Sequence, residues 1–116
     1  MTIPTFPING IPCGLTISFM QQITYQELEA WQKMGRRFQL IDVREADERA
    51  SFHIGGDWIP LGDIMRSASK INATLPVVVY CRKGIRSQIA IQRLQVRFPQ
   101  TQFFNLAGGI WHLSYV

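Results

Sequence analysis

The run Val77-Val78-Val79-Tyr80 constrains the fold of this chain more than any other segment. Three β-branched residues and an aromatic in succession, with Pro76 before them, predict a strand that has no polar face. A strand of that kind is covered on both sides, which is the habit of parallel strands sandwiched by helices. A short loop separates it from Ser87–Phe98. In that segment Ile89, Ile91, Leu94 and Phe98 are interspersed with Gln and Arg, so it predicts an amphipathic helix stopped by Pro99.

The rest of the chain repeats this alternation. Phe38–Val43 predicts a second buried strand, Asp57–Leu61 a short one stopped by Pro60, and Gln102–Leu106 a last one. Thr24-x-x-Glu27 is a capping box, with Ile23 and Leu28 at the staple positions and Gly35 placed to end the helix, so a helix is expected over about Tyr25–Met34. Shorter helices are expected at Ala46–Phe52 and Asp63–Ile71, and again after Ala107-Gly108-Gly109. The fold class expected is α/β, a mostly parallel central sheet with helices on both faces. With 116 residues the chain suits one domain. Pro4, Pro7, Pro12, Gly10 and Gly14 defeat regular structure near the start. Residues 1–21 therefore read as an extended arm and residues 22–116 as the domain.

Ligands of parallel α/β sheets bind beyond the carboxyl ends of the strands, and that rule points to Cys81 and the loop after it. The charge pattern points to the same place. Lys plus Arg number 12 against 8 Asp plus Glu, and residues 64–116 hold seven of the bases and none of the acids. Three of those seven, Arg82, Lys83 and Arg86, lie in one loop. Without them the net charge of +4 falls to +1, so the excess is local. It fits a small anion rather than the broad basic face that a nucleic acid needs, and no nucleic-acid partner is expected. No apolar run approaches the roughly 20 residues that span a bilayer, so no membrane partner is expected either.

The start, MTIPTFPINGIPCG, has no basic region followed by an uninterrupted apolar one, so no secretory leader is expected. Cys13 and Cys81 are too few for a disulfide framework, and with His53 and His112 they show no zinc-finger spacing. The expectation is a reduced thiol protein of the cytoplasm, with no metal and no cofactor.

The thiol of Cys81 sits in Tyr80-Cys81-Arg82-Lys83-Gly84-Ile85-Arg86-Ser87, where a buried strand meets a helix. The helix directs free amides and the positive end of its dipole at the loop. Three cations stand within five residues. Gly84 permits the backbone turn that lets neighbouring N–H groups converge. Such surroundings stabilise a thiolate.

At these residues the chain resembles the single-domain rhodanese-like sulfurtransferase family. The likeness spans about residues 22–113 in three blocks. The first runs through Leu40-Ile41-Asp42-Val43-Arg44-Glu45 and Glu48 to His53-Ile54-Gly55-Gly56 and Ile59-Pro60-Leu61. The second is the Cys81–Ser87 loop, and the third is Asn105-Leu106-Ala107-Gly108-Gly109-Ile110. The resemblance implies transfer of a sulfane sulfur, from thiosulfate, polysulfide or a protein persulfide, through a persulfide on Cys81. It implies that the amides from Arg82 through Gly84 and Ile85 to Arg86 cradle the persulfide. Arg86, with Arg82 and Lys83, would bind an anionic donor, and Asp42 and Arg44 would be framework. It also admits a sulfur-relay module that docks a ubiquitin-like sulfur carrier or its adenylating enzyme.

A cysteine-dependent phosphatase is the sharpest rival. Those enzymes separate cysteine and arginine by five residues, whereas Cys81 and Arg86 have four between them. Some positions depart from the family pattern. Phe52 stands where glycine is usual, Arg49 where an aromatic is common, Gly55 where proline is frequent and Leu113 where many members have tryptophan. His53 reads as a structural residue bonded to backbone, His112 as surface. Trp31, Trp58 and Trp111 read as packing, Arg36-Arg37 as a solvated pair, and Cys13 as an unreactive arm residue.

Overall fold

The computed structural model describes residues 20–115. Its five strands are β1 (Gln21–Ile23), β2 (Gln39–Asp42), β3 (Asp57–Trp58), β4 (Val77–Tyr80) and β5 (Phe103–Leu106). They form one sheet in the order β1-β5-β4-β2-β3, and every pairing is parallel. The helices are α1 (Tyr25–Lys33), α2 (Ala46–Ser51) and α3 (Arg86–Arg97), with 3₁₀ turns at Leu61–Asp63, Ala68–Lys70 and Trp111–Tyr115.

β4 lies at the centre, and alternate residues feed two separate cores. Val77 and Val79 pack with Ile41, Ile91, Leu94 and Phe103 on the α3 side. Val78 and Tyr80 pack with Ile23, Leu28, Phe104 and Leu106 on the α1 side. All four side chains of β4 are buried, which is why the strand reads as an unbroken apolar run.

α1 opens as its sequence demands. The Thr24 hydroxyl accepts from the Glu27 amide at 3.1 Å, and the Glu27 carboxylate accepts from the Thr24 amide at 2.9 Å. Two expectations are corrected. Asp63–Ile71 is no helix but a pair of 3₁₀ turns flanking residues 64–67, a Ser-containing stretch where Ser67 sits at φ −102° and ψ 19°. The strand expected over Asp57–Leu61 is a two-residue edge. The Ile59 and Leu61 amides still reach the carbonyls of Asp42 and Val43, but Pro60 between them has no N–H to give.

β1 precedes the first element expected from sequence, and its first residue, Gln21, falls within the arm read as 1–21. Residues 1–19 of that arm, with Cys13, lie outside the described residues. The Arg36 guanidinium is not simply solvated: it stacks over the Trp31 ring 3.9 Å from its centroid.

Candidate active site

Cys81 follows β4 directly and is buried, with 1% of its surface exposed. The carbonyls of Cys81 and Arg82 accept from the amides of Ile110 (3.1 Å) and Trp111 (2.9 Å). With those carbonyls held outward, the later amides of the loop turn inward. Gly84 N–H donates to Sγ at 3.1 Å and Ser87 N–H at 3.4 Å. Gly84 reaches this geometry at φ +94°, a conformation other residues rarely adopt. The residue before α3, Ile85, gives no side-chain cap, so the sulfur takes an amide of the first helical turn that a capping oxygen would otherwise accept.

Of the amides expected to converge between Arg82 and Arg86, Gly84 supplies one. The second comes from Ser87, beyond that span. Arg86, expected to face an anionic donor, is paired within the chain. Its fork holds Glu48 of α2 through two bonds of 2.7 and 2.8 Å, a bidentate pair. Arg82, Lys83 and Ile85 are exposed around the mouth of the loop, a hollow of about 240 Å³. A second hollow of about 300 Å³ adjoins it between α2 and the C-terminal turn, lined by Arg44, Asp47, Glu48, Phe52, Arg82 and Trp111. Lys83 Nζ stands 6.0 Å from the Trp111 ring.

The hydrogen bonds from Arg86 hold the Glu48 carboxyl at about 2, against an ordinary 4.5 and in spite of burial. A depressed carboxyl adds stability that is complete above its unfolded value and is lost as pH falls through its folded one. Urea unfolding midpoints are therefore expected to fall between pH 4.5 and 2. Glu48→Gln should lower the midpoint at neutral pH, where the contribution of the pair is complete, and remove part of that fall.

Asp42 ends β2 beside Tyr80 of β4, and Arg44 follows it two residues on. Both are buried, and Arg44 grips Asp42 through Nε at 2.9 Å and a terminal nitrogen at 3.0 Å while donating to the Phe52 carbonyl at 2.6 Å. Arg49 reaches Asp42 at 3.4 Å and the carbonyls of Gly55 and Gly56, so the arginine that departs from the family pattern braces the turn after α2. Tyr80 donates to the Gly55 carbonyl at 2.8 Å, and burial, reinforced by the Asp42 charge, pushes its phenol up to about 12. His53 Nδ1 accepts from the Gly55 amide at 2.9 Å, a bond to backbone. Among the described residues no three His, Cys, Asp or Glu side chains are grouped to hold a metal ion. None of their helices is long and apolar enough to cross a membrane.

Three participants at the site carry no role in the sequence reading. Ser87 is buried against Sγ, Asn105 is buried against Ser87, and Gln22 completes their chain. The available signal was Asn105 itself, a polar residue inside the apolar strand Phe103-Phe104-Asn105-Leu106.

Fold and site together define a parallel α/β domain that presents a buried cysteine sulfur to amides at a strand-to-helix loop. Residues 24–112 match the rhodanese-like domain family, and the chain belongs to it. It is 37% identical over 91 residues to the uncharacterized protein YqhL of Bacillus subtilis, covering 78% of this chain and 69% of that protein. It is 46% identical over 80 residues to the adenylyltransferase and sulfurtransferase MOCS3 of Drosophila willistoni, covering 61% of this chain but 18% of that protein. The crystal structure of a rhodanese-like domain protein from Staphylococcus aureus superposes with a TM-score of 0.73 at 26% identity, over 79% of this chain and 91% of that one. The domain is thus homologous to a segment of proteins named as sulfurtransferases.

Proposed function

We propose that this domain is a sulfurtransferase that carries sulfane sulfur on Cys81. The observation that supports it best is the convergence of the Gly84 and Ser87 amides on Sγ at the carboxyl end of a parallel strand. Such donors stabilise negative charge wherever it develops on sulfur. In the first step the Cys81 thiolate attacks the outer sulfur of a donor such as thiosulfate. The new bond joins Sγ to that sulfur, the donor S–S bond breaks, and its electron pair leaves with sulfite. In the second step a nucleophilic acceptor attacks the outer sulfur of the persulfide, and the electron pair of the broken bond returns Cys81 to thiolate.

Arg82 and Lys83 supply the attraction for an anionic donor, since the charge of Arg86 is already matched by Glu48. Asp42 and Arg44 keep the floor of the loop rigid. The Arg86–Glu48 pair also weighs against phosphatase chemistry, which needs its arginine fork turned to the phosphoryl oxygens. Ile85 is 66% exposed and Trp111 41% exposed beside the mouth, and this apolar rim favours a second reading. There the sulfur partner is carried by a protein, such as a ubiquitin-like sulfur carrier or its adenylating enzyme.

Intact-mass spectrometry after incubation with thiosulfate or polysulfide tests the proposal. One added sulfur atom is expected on Cys81. No addition with any sulfane donor, combined with hydrolysis of an aryl phosphate, would move the assignment to the phosphatase. Persulfide formation with slow transfer from thiosulfate to cyanide would favour the protein-borne substrate.

A further inference from the structure

A chain of side chains runs from the sulfur to the edge of the sheet. Sγ of Cys81 lies 3.3 Å from Oγ of Ser87. The Ser87 hydroxyl donates to Oδ1 of Asn105, and Nδ2 of Asn105 donates to Oε1 of Gln22 at 2.9 Å. The register builds this chain, because Asn105 pairs with Val79 of β4 on one side and with Gln22 of β1 on the other. Ser87 and Asn105 are both buried, so water does not compete for their bonds.

A hydroxyl has one proton, and an amide oxygen accepts only. With its proton given to Asn105, Ser87 turns a lone pair toward the sulfur. A thiol S–H satisfies that lone pair, whereas a sulfur anion is opposed by it. The same sulfur receives two backbone amides, which favour the anion. Ser87 therefore opposes at its hydroxyl what it supports at its amide.

We propose that Asn105 is a positioning residue that claims the Ser87 proton and so favours the protonated resting form of Cys81. When the sulfur ionises, the hydroxyl rotates from Asn105 onto Sγ. No covalent bond of Ser87 changes, and the thiol proton leaves to solvent at the loop mouth. The inference rests on the reading of Cys81 as the sulfur-carrying thiol. The charged and titratable groups on the elements around Cys81 are Arg82, Lys83 and Arg86 of the loop, Arg93 and Arg97 farther along α3, and Glu45, Asp47, Glu48 and Arg49 at the cap and in the body of α2, where Glu48 pairs with Arg86. Asp42 and Arg44 lie at and after the end of β2, Tyr80 ends β4, and His112 lies in the C-terminal turn. Substitutions at Asn105, Ser87 and Gln22 leave all of these in place.

The test is the pH dependence of thiolate absorbance, with alkylation rate by iodoacetamide alongside, in a Cys13→Ser background so that one thiol titrates. Asn105→Leu is expected to shift thiolate formation about one pH unit lower, a tenfold change, because the released hydroxyl then donates to the anion. In a Ser87→Ala background the same substitution is expected to shift nothing. An unchanged titration in Asn105→Leu, a shift to higher pH, or an equal shift without the Ser87 hydroxyl would overturn the proposal. Should Asn105→Leu not fold, Gln22→Leu at the exposed edge frees the Asn105 amide to turn over. It should give a smaller shift in the same direction, and none would count against the proposal. The two readings fail separately. A shifted titration without persulfide removes sulfur transfer alone, and persulfide with an unshifted titration removes the role of Asn105 alone.

Discussion

Replacing Cys81 by serine is expected to abolish sulfur loading and to lower any sulfur-transfer kcat/KM by at least ~10³-fold, since no other group at the site can hold the transferred atom. The fold should survive. Serine is slightly smaller, and its hydroxyl oxygen can still accept from the Gly84 and Ser87 amides that now reach Sγ. Circular dichroism and the thermal midpoint should therefore stay close to those of the native chain while the added sulfur disappears from the mass spectrum. Retained loading in Cys81→Ser would place the carrier elsewhere, and Cys13 would be the next residue to test.

Gly109→Ala should produce the largest structural effect of any single methyl group. Gly109 lies at φ +67°, and a Cβ there would stand 2.2 Å from the Arg82 carbonyl oxygen. Nothing flexible can yield, because that carbonyl is held by the Trp111 amide. The backbone conformation alone costs an alanine about 1–2 kcal/mol. Displacement of the loop should raise the total to roughly 3 kcal/mol or more. For a domain of this size that corresponds to a fall of at least ~12 °C in Tm. Gly35→Ala is the control. It shares the positive φ, at +72°, yet its Cβ would meet nothing within 4 Å, so only the conformational part should appear. Sulfur loading should fall in Gly109→Ala and persist in Gly35→Ala.

The segments legible in the sequence are those whose cause is local. The Thr24–Glu27 box lies within one turn of helix, and the Val77–Tyr80 run needs only its own side chains to declare a buried strand. The Cys81 loop was legible for the same reason, since thiol, glycine and cations are neighbours in the chain. β1 was not. Gln21 and Gln22 are exposed and have weak strand preference, and they are extended because β5 offers them a partner more than 80 residues away. The Glu48–Arg86 pair was hidden by a separation of 38 residues. Asp63–Ile71 misled in the opposite sense. It has helix-compatible residues, yet the backbone leaves the helical path at Ser67, with φ −102° and ψ 19°.

The sulfur that completes the start of α3 couples reactivity to local unfolding. Any adduct that withdraws Sγ from the Ser87 amide uncovers the first turn of the helix that carries Ala90, Ile91 and Leu94 into the core. Fraying there would pass directly to packing beneath β4. The chemical state of one atom should therefore be readable in the hydrogen-exchange protection of the first turn of α3, so that a small oxidant or alkylating agent is expected to act on this domain as a conformational ligand as well as a reagent.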